Sequence, residues 1–244
     1  MKFIYLVLIS LLLTILACVT TLYPKKLKDY SEVSALVIDS EQSGGGSAVL
    51  LRSSKNGSVF LTNKHVCLNL LEGAVVYLKS GKYRARELLF SKEHDLCAIK
   101  VKENLKTSIA IADTAPQELD KVTVIGYPLL KGPIAEEGYV VKTHALITVP
   151  PLPFCESVGL VSMKCYKPTK EIEVYSTTFV KALITFGSSG SPTFNSDGEL
   201  VGLVMAKENE QGLGYAYTVP LQAIKIFVSQ LEVRQFILLP EVTK

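Results

Sequence analysis

Short apolar runs closed by turn signals recur at even spacing along most of this chain, and that rhythm points to an all-β fold. Ser34–Ile38, Ser47–Leu51, Ser58–Thr62, Ala74–Leu78, Tyr83–Phe90 and Leu96–Val101 make a first set. Gly44-Gly45-Gly46 marks a tight turn between the first two, and Lys55-Asn56-Gly57 reads as a hairpin turn. Glu103 to Asp120 is polar, contains Pro116 and shows no period, so it divides a lobe over 24–117 from one over 118–244. The second set is Val122–Pro128, Gly138–Val149, Glu171–Tyr175, Lys181–Thr185, Leu200–Met205 and Tyr215–Val219. A length of 244 residues suits one core of sandwich or barrel size, or two small lobes sharing an interface. The helical exception is Leu221 to Glu232, where Leu221, Ile224, Phe227, Val228 and Leu231 share a face after Pro220.

Phe3 to Tyr23 carries no charge and stands outside this pattern, with Lys2 before it and Lys25, Lys26 and Lys28 after it. Such a run is a secretory signal or a single membrane anchor. Ile15-Leu16-Ala17-Cys18 resembles the lipobox of bacterial lipoproteins, which makes Cys18 a candidate for lipidation. The heavier positive flank after the run favours the opposite orientation, with the remaining chain facing the cytoplasm. The expectation is a cell-envelope or secreted protein attached to a membrane, the cytoplasm-facing anchor being the second reading. Without Cys18 four cysteines remain: Cys67, Cys97, Cys155 and Cys165. Cys155 and Cys165 lie close together in a Pro-rich excursion from Pro150 to Pro168 and are a candidate disulfide; four buried thiols are the alternative. Nothing in the spacing suggests zinc or another metal. Lys plus Arg number 26 against 23 for Asp plus Glu, without a basic stripe, so nucleic acid is not an expected partner.

The chemistry concentrates in three places. Thr62-Asn63-Lys64-His65-Val66 ends one apolar run, His94-Asp95-Leu96 opens another, and Gly187-Ser188-Ser189-Gly190-Ser191-Pro192 lies between two late ones. A serine hydroxyl is protonated at neutral pH, so nucleophilic attack requires a base within hydrogen-bond reach and a carboxylate to orient that base. Ser189, His65 and Asp95 fit these catalytic roles. The glycines let backbone amides around Gly187, Ser188 and Ser189 converge on one point, an oxyanion hole, with the Gly187 and Ser189 amides as donors. His94 points away from Asp95 along an extended chain, and His144 lies in a strand-like run, so both are read as structural or solvent-facing. The order His, Asp, Ser excludes an α/β-hydrolase arrangement, because no histidine follows Ser189.

Together these blocks resemble the trypsin-like, chymotrypsin-fold serine peptidases, closest to the bacterial HtrA/Deg type without PDZ domains. Gly46-Ser47-Ala48-Val49, Leu61 to Val66, Asp95 to Lys100, Val124 to Pro128, Gly198 to Leu203 and Gly212 to Pro220 carry the likeness, which spans Ser34 to Leu231. It implies two six-stranded antiparallel β-barrels, a cleft between them, a serine endopeptidase acting on exposed or unfolded polypeptide, and no cofactor. Ser188 replaces the acidic residue that receives a new N-terminus in animal trypsins, so activation by that salt bridge is not expected. The resemblance places Leu183 at the acidic base of a trypsin pocket and Val204 at the histidine of glutamyl endopeptidases. With Leu183, Ile184, Val204, Leu213 and Ala216 as lining and Lys207 at the mouth, it implies cleavage after small or medium apolar residues. The alternative is a catalytically silent module that keeps the fold and binds polypeptide.

Overall fold

In the computed structural model, which describes residues 30–158, 162–168, 172–207 and 214–240, the first set of runs forms six strands. They are β1 (Ser34–Asp39), β2 (Gly45–Ser54), β3 (Gly57–Thr62), β4 (Ala74–Leu78), β5 (Gly81–Phe90) and β6 (Cys97–Val101). Their order is β5-β4-β1-β2-β3-β6, and β5 also pairs with β6, so the sheet returns on itself. β4 alternates buried and half-buried positions, the signature of a strand with one face in the core. β3 is buried throughout, being flanked by β2 and β6 and covered on both faces. His65 follows β3 on a single helical turn, α1 (Lys64–Leu68).

The second set departs from expectation after Val149. The strands are β7 (Lys121–Gly126), β8 (Ile134–Val149), β9 (Phe154–Val158), β10 (Ser162–Tyr166), β11 (Glu173–Lys181), β12 (Pro192–Phe194), β13 (Leu200–Lys207) and β14 (Tyr215–Pro220). Six of them close a barrel in the order β11-β14-β13-β12-β7-β8. The runs expected at 171–175 and 181–185 are not two strands, because β11 continues from Glu173 to Lys181. Beyond it the chain leaves the sheet at Ala182, whose amide donates to Gly214 O at 2.8 Å. The sixth position belongs to β12, only three residues long, too short to show a period of two.

α2 (Leu221–Gln230) follows β14 and packs against β13 and β14. Beyond it β15 (Ile237–Leu238) adds to the outer edge of β5. The Pro-rich excursion is a hairpin in which Cys155 and Cys165 face each other across β9 and β10 and are disulfide-bonded. It leaves the second barrel and lies against the first, β9 on β5 and both strands on β15. Lys92, in the loop that leads to Asp95, places its ammonium 5.3 Å from the centre of the Phe154 ring.

One apolar cluster joins the two barrels. It contains Leu50, Phe60, Phe90 and Ile99 of the first with Phe194, Leu200, Leu203 and Val219 of the second, and Ile224 and Phe227 of α2. Burying a large apolar side chain of this kind stabilises by about 1.5–3 kcal/mol. A smaller cluster, including Val124, Val140, Val180, Val204 and Ala216, fills the second barrel. The apolar segment over 3–23, with Cys18, lies outside the described residues.

Candidate active site

His65 and Asp95 approach each other because their carriers are tied together. Cys67, two residues beyond His65, is disulfide-bonded to Cys97, two residues beyond Asp95. This pairing joins α1 to the start of β6. The Asp95 carboxylate, 4% exposed, accepts from the His65 backbone amide through Oδ1 at 2.9 Å and meets His65 Nδ1 through Oδ2 at 2.7 Å. Asn63 Nδ2 donates to the Asp95 carbonyl at 3.0 Å. A carboxylate on Nδ1 makes that nitrogen the protonated one and leaves Nε2 free to accept a proton.

Ser189 comes from the second barrel, in the loop between β11 and β12. Its position is set by Ser47 of β2. Ser47 N donates to Ser189 O at 2.7 Å, Ser47 Oγ donates to Gly187 O at 2.8 Å, and Tyr127 N donates to Ser47 Oγ at 2.9 Å. Gly190, at φ +84°, packs so tightly on the Ser47 carbonyl that a Cβ would overlap it, and Thr62 Oγ1 donates to the same carbonyl at 2.7 Å. At Gly46 a Cβ would lie 2.8 Å from Ser189 O and 2.9 Å from Val66 Cγ2, so the serine loop rests against the turn that carries His65. In this form the Ser189 hydroxyl makes no hydrogen bond to the His65 ring; such contacts commonly tighten only with substrate bound.

The amides around Ser189 are sorted by the turn. The Ser188 amide is used, donating to Thr185 O at 3.0 Å, and Ser188 Oγ accepts from Thr185 N at 3.2 Å. Ser188 is therefore a turn-closing residue and not a third donor. Phe186 O accepts from Leu129 N at 2.6 Å; across a trans peptide the Gly187 N–H points the other way. Among the described residues the Gly187 and Ser189 amides have no protein acceptor.

A cavity of about 240 Å³ lies beside this loop, lined by Val124, Pro128, Ile134, Leu183, Ile184 and Ser188 among others, with Glu136 also on its wall. Leu183 and Ile184 thus border open space. Val204 and Ala216 do not: they are 1% and 0% exposed inside the second barrel's core, because their strands turn those side chains inward. Leu213 and the side chain of Lys207 lie outside the described residues. His144 is exposed at a bulge of β8, whereas His94 is half-buried with its ring 6.4 Å from that of Tyr175.

Three residues lie behind the pair, of which the sequence marks only His94, as structural or solvent-facing. Lys64 is 1% exposed, and burial pulls its pKa below the usual value against the opposing pull of Asp95 and Glu173. Tyr175, on β11, donates its hydroxyl to Glu173, and burial together with that carboxylate pushes its pKa up. His94 is pushed down, chiefly by burial. Adjacency in sequence marks Lys64 beside His65 and His94 beside Asp95, whereas nothing local marks Tyr175.

The family model described as trypsin-like peptidase domain matches residues 46–203. Among solved structures, the active form of the Rv3671c protease from M. tuberculosis superposes with a TM-score of 0.69 at 13% identity, over 87% of this chain and 86% of that one. The HtrA-type protease AlgW with a tripeptide gives 0.65 at 21% identity, over 85% of this chain and 62% of that one. At such identities the likeness concerns the fold. No curated protein matches the chain.

Proposed function

This chain belongs to the trypsin-like peptidase family of serine endopeptidases, and on that premise we propose that it cleaves polypeptide through His65, Asp95 and Ser189 by way of an acyl-enzyme. The observation that carries the reading is the two-point contact of Asp95 with His65, at 2.9 and 2.7 Å, facing a serine loop fixed by Ser47. Ser189 Oγ attacks the scissile carbonyl carbon while His65 Nε2 takes its proton. The resulting imidazolium is held by Asp95, and the Gly187 and Ser189 amides receive the oxyanion. His65 then protonates the leaving amine, and water repeats the sequence on the ester to release the acid and restore the serine.

Substrate preference follows from the wall beside the loop. Leu183 and Ile184 offer apolar surface beside the serine loop, with Glu136 the acidic residue on the same wall, and the apolar share of the lining supports cleavage after small or medium apolar residues. Exposed or unfolded polypeptide is the substrate class. The apolar segment over 3–23, with or without lipid on Cys18, attaches the enzyme to a membrane in the cell envelope.

A fluorophosphonate probe labels the wild type and not Ser189→Ala, and profiling with peptide libraries returns apolar residues before the cleaved bond. A folded wild type inert to probe and library alike points instead to a silent polypeptide-binding module. Mass spectrometry of the native N-terminus reads the anchor directly.

A further inference from the structure

The loop over 91–94, which leads into Asp95, and the far end of α2 enclose a cavity of about 290 Å³. It shares no lining residue with the cavity beside Ser189. Ser91 and Lys92 border it from the first barrel, Gln230 and Arg234 from the end of α2 and the turn behind it. Ile226, 40% exposed, and Phe227 add apolar surface to the same wall.

The polar part of this wall is rich in donors. Arg234 Nη1 donates to Gln230 Oε1 at 3.1 Å, so the remaining guanidinium N–H groups and the Gln230 amide nitrogen are left to give. Ser91 Oγ accepts from His94 N at 3.1 Å and keeps its own proton to donate. Lys92 lies over the Phe154 ring, and among the described residues neither it nor Arg234 forms an ion pair. Glu156 of β9 is the carboxylate whose charge bears on Arg234, and Glu93, the one acid bordering the cavity, is exposed. Such a wall suits a ligand with an anionic end and an aliphatic body. Hydrolysis after an apolar residue makes molecules of that kind, because each cut releases a peptide whose last residue is apolar and carries a new α-carboxylate.

We propose that this cavity is a second binding site, apart from the catalytic cleft, for the new C-terminus of a cleaved peptide. The α-carboxylate meets Arg234, Lys92 and Ser91, and the last side chain rests on Ile226 and Phe227. The identity of the ligand rests on the cleavage assigned above; the donor-lined cavity stands without it.

The test is isothermal titration calorimetry of the full-length Ser189→Ala protein, which leaves the peptide intact. Three probes are compared: an N-acetylated tripeptide ending in leucine with a free carboxylate, the same peptide amidated, and inorganic phosphate. The free peptide binds; amidation weakens it by about tenfold or more, and Arg234→Gln in the same background does so too. A product also fits the cleft, so dependence on Arg234 is the deciding reading. Equal affinity with Arg234→Gln, or equal affinity for the amide, overturns the proposal. Phosphate binding as tightly as the peptide, in a manner lost with Arg234→Gln, overturns the peptide as ligand. Should Arg234→Gln fail to fold, Ile226→Glu decides: loss of binding supports the site, and unchanged affinity overturns it. A wild type that hydrolyses nothing overturns the cleavage reading instead, and the titrations still judge the cavity.

Discussion

The hydroxyl of Ser47 on β2 donates to the carbonyl of Gly187 at 2.8 Å, so a first-barrel side chain holds the backbone of the second barrel's serine loop. The same oxygen accepts from Tyr127 N at 2.9 Å. Ser47→Ala leaves both backbone groups without their partner, a loss of about 2–3 kcal/mol in stability. Because the Gly187 amide then drifts, kcat/KM falls by about tenfold or more, with little change in KM. Thermal melts and steady-state kinetics on a peptide substrate check both.

Asp95→Asn keeps the shape of the site and reverses its hydrogen-bond sense. An amide cannot accept from both the His65 backbone amide and Nδ1, so the ring takes the tautomer protonated at Nε2 and no longer receives the serine proton. A fall in kcat of about 10³–10⁴ is expected, recovering partly at high pH. Fluorophosphonate labelling rates give the comparison without depending on substrate choice.

The two disulfides differ in what they hold. Cys67–Cys97 closes a separation of 30 residues and Cys155–Cys165 one of 10, so the first constrains the unfolded chain more. Chain-entropy reasoning gives about 3–4 kcal/mol for Cys67→Ala/Cys97→Ala and about 2–3 kcal/mol for the other pair. Only the first change also loosens the carriers of His65 and Asp95. Urea titrations rank the stabilities, and probe labelling of the folded variants shows the larger activity loss in the first.

His94 gives the stability of the fold an acid limit. Burial lowers its folded pKa below the unfolded value of 6.5, so on acidification the unfolded chain takes up the proton first. Its contribution is complete above 6.5 and is lost as pH falls through the lower folded value. His94→Gln removes that dependence, and the melting temperature declines less steeply than in the wild type between about pH 7 and about pH 5. Melts followed by circular dichroism across that range measure the difference in slope.

The sequence carried the strands of the first barrel because each is long enough to show period or uninterrupted burial, and the three catalytic candidates because each ends or opens such a run. What it did not carry is contact between distant segments. β12 is three residues inside a Gly and Ser motif, and nothing local distinguishes Pro192–Phe194 from loop. Cys67 and Cys97 pair because β3 and β6 are neighbours, a fact of topology. The charge of Glu173 bears on buried Lys64 only once the second barrel meets the first. The family resemblance implies a pocket-lining place for Val204, whereas the inward face of β13 buries it.

The apolar cluster that runs from Phe60 and Phe90 through Phe194 to Phe227 has a consequence for the lifetime of the enzyme. An endopeptidase lives among copies of itself, and self-digestion begins where a segment opens far enough to enter a neighbour's cleft. A shared interior leaves neither lobe able to open alone without exposing the other, so the vulnerable state is reached only by losing the whole structure at once. Survival under its own activity is then set by the height of one global barrier.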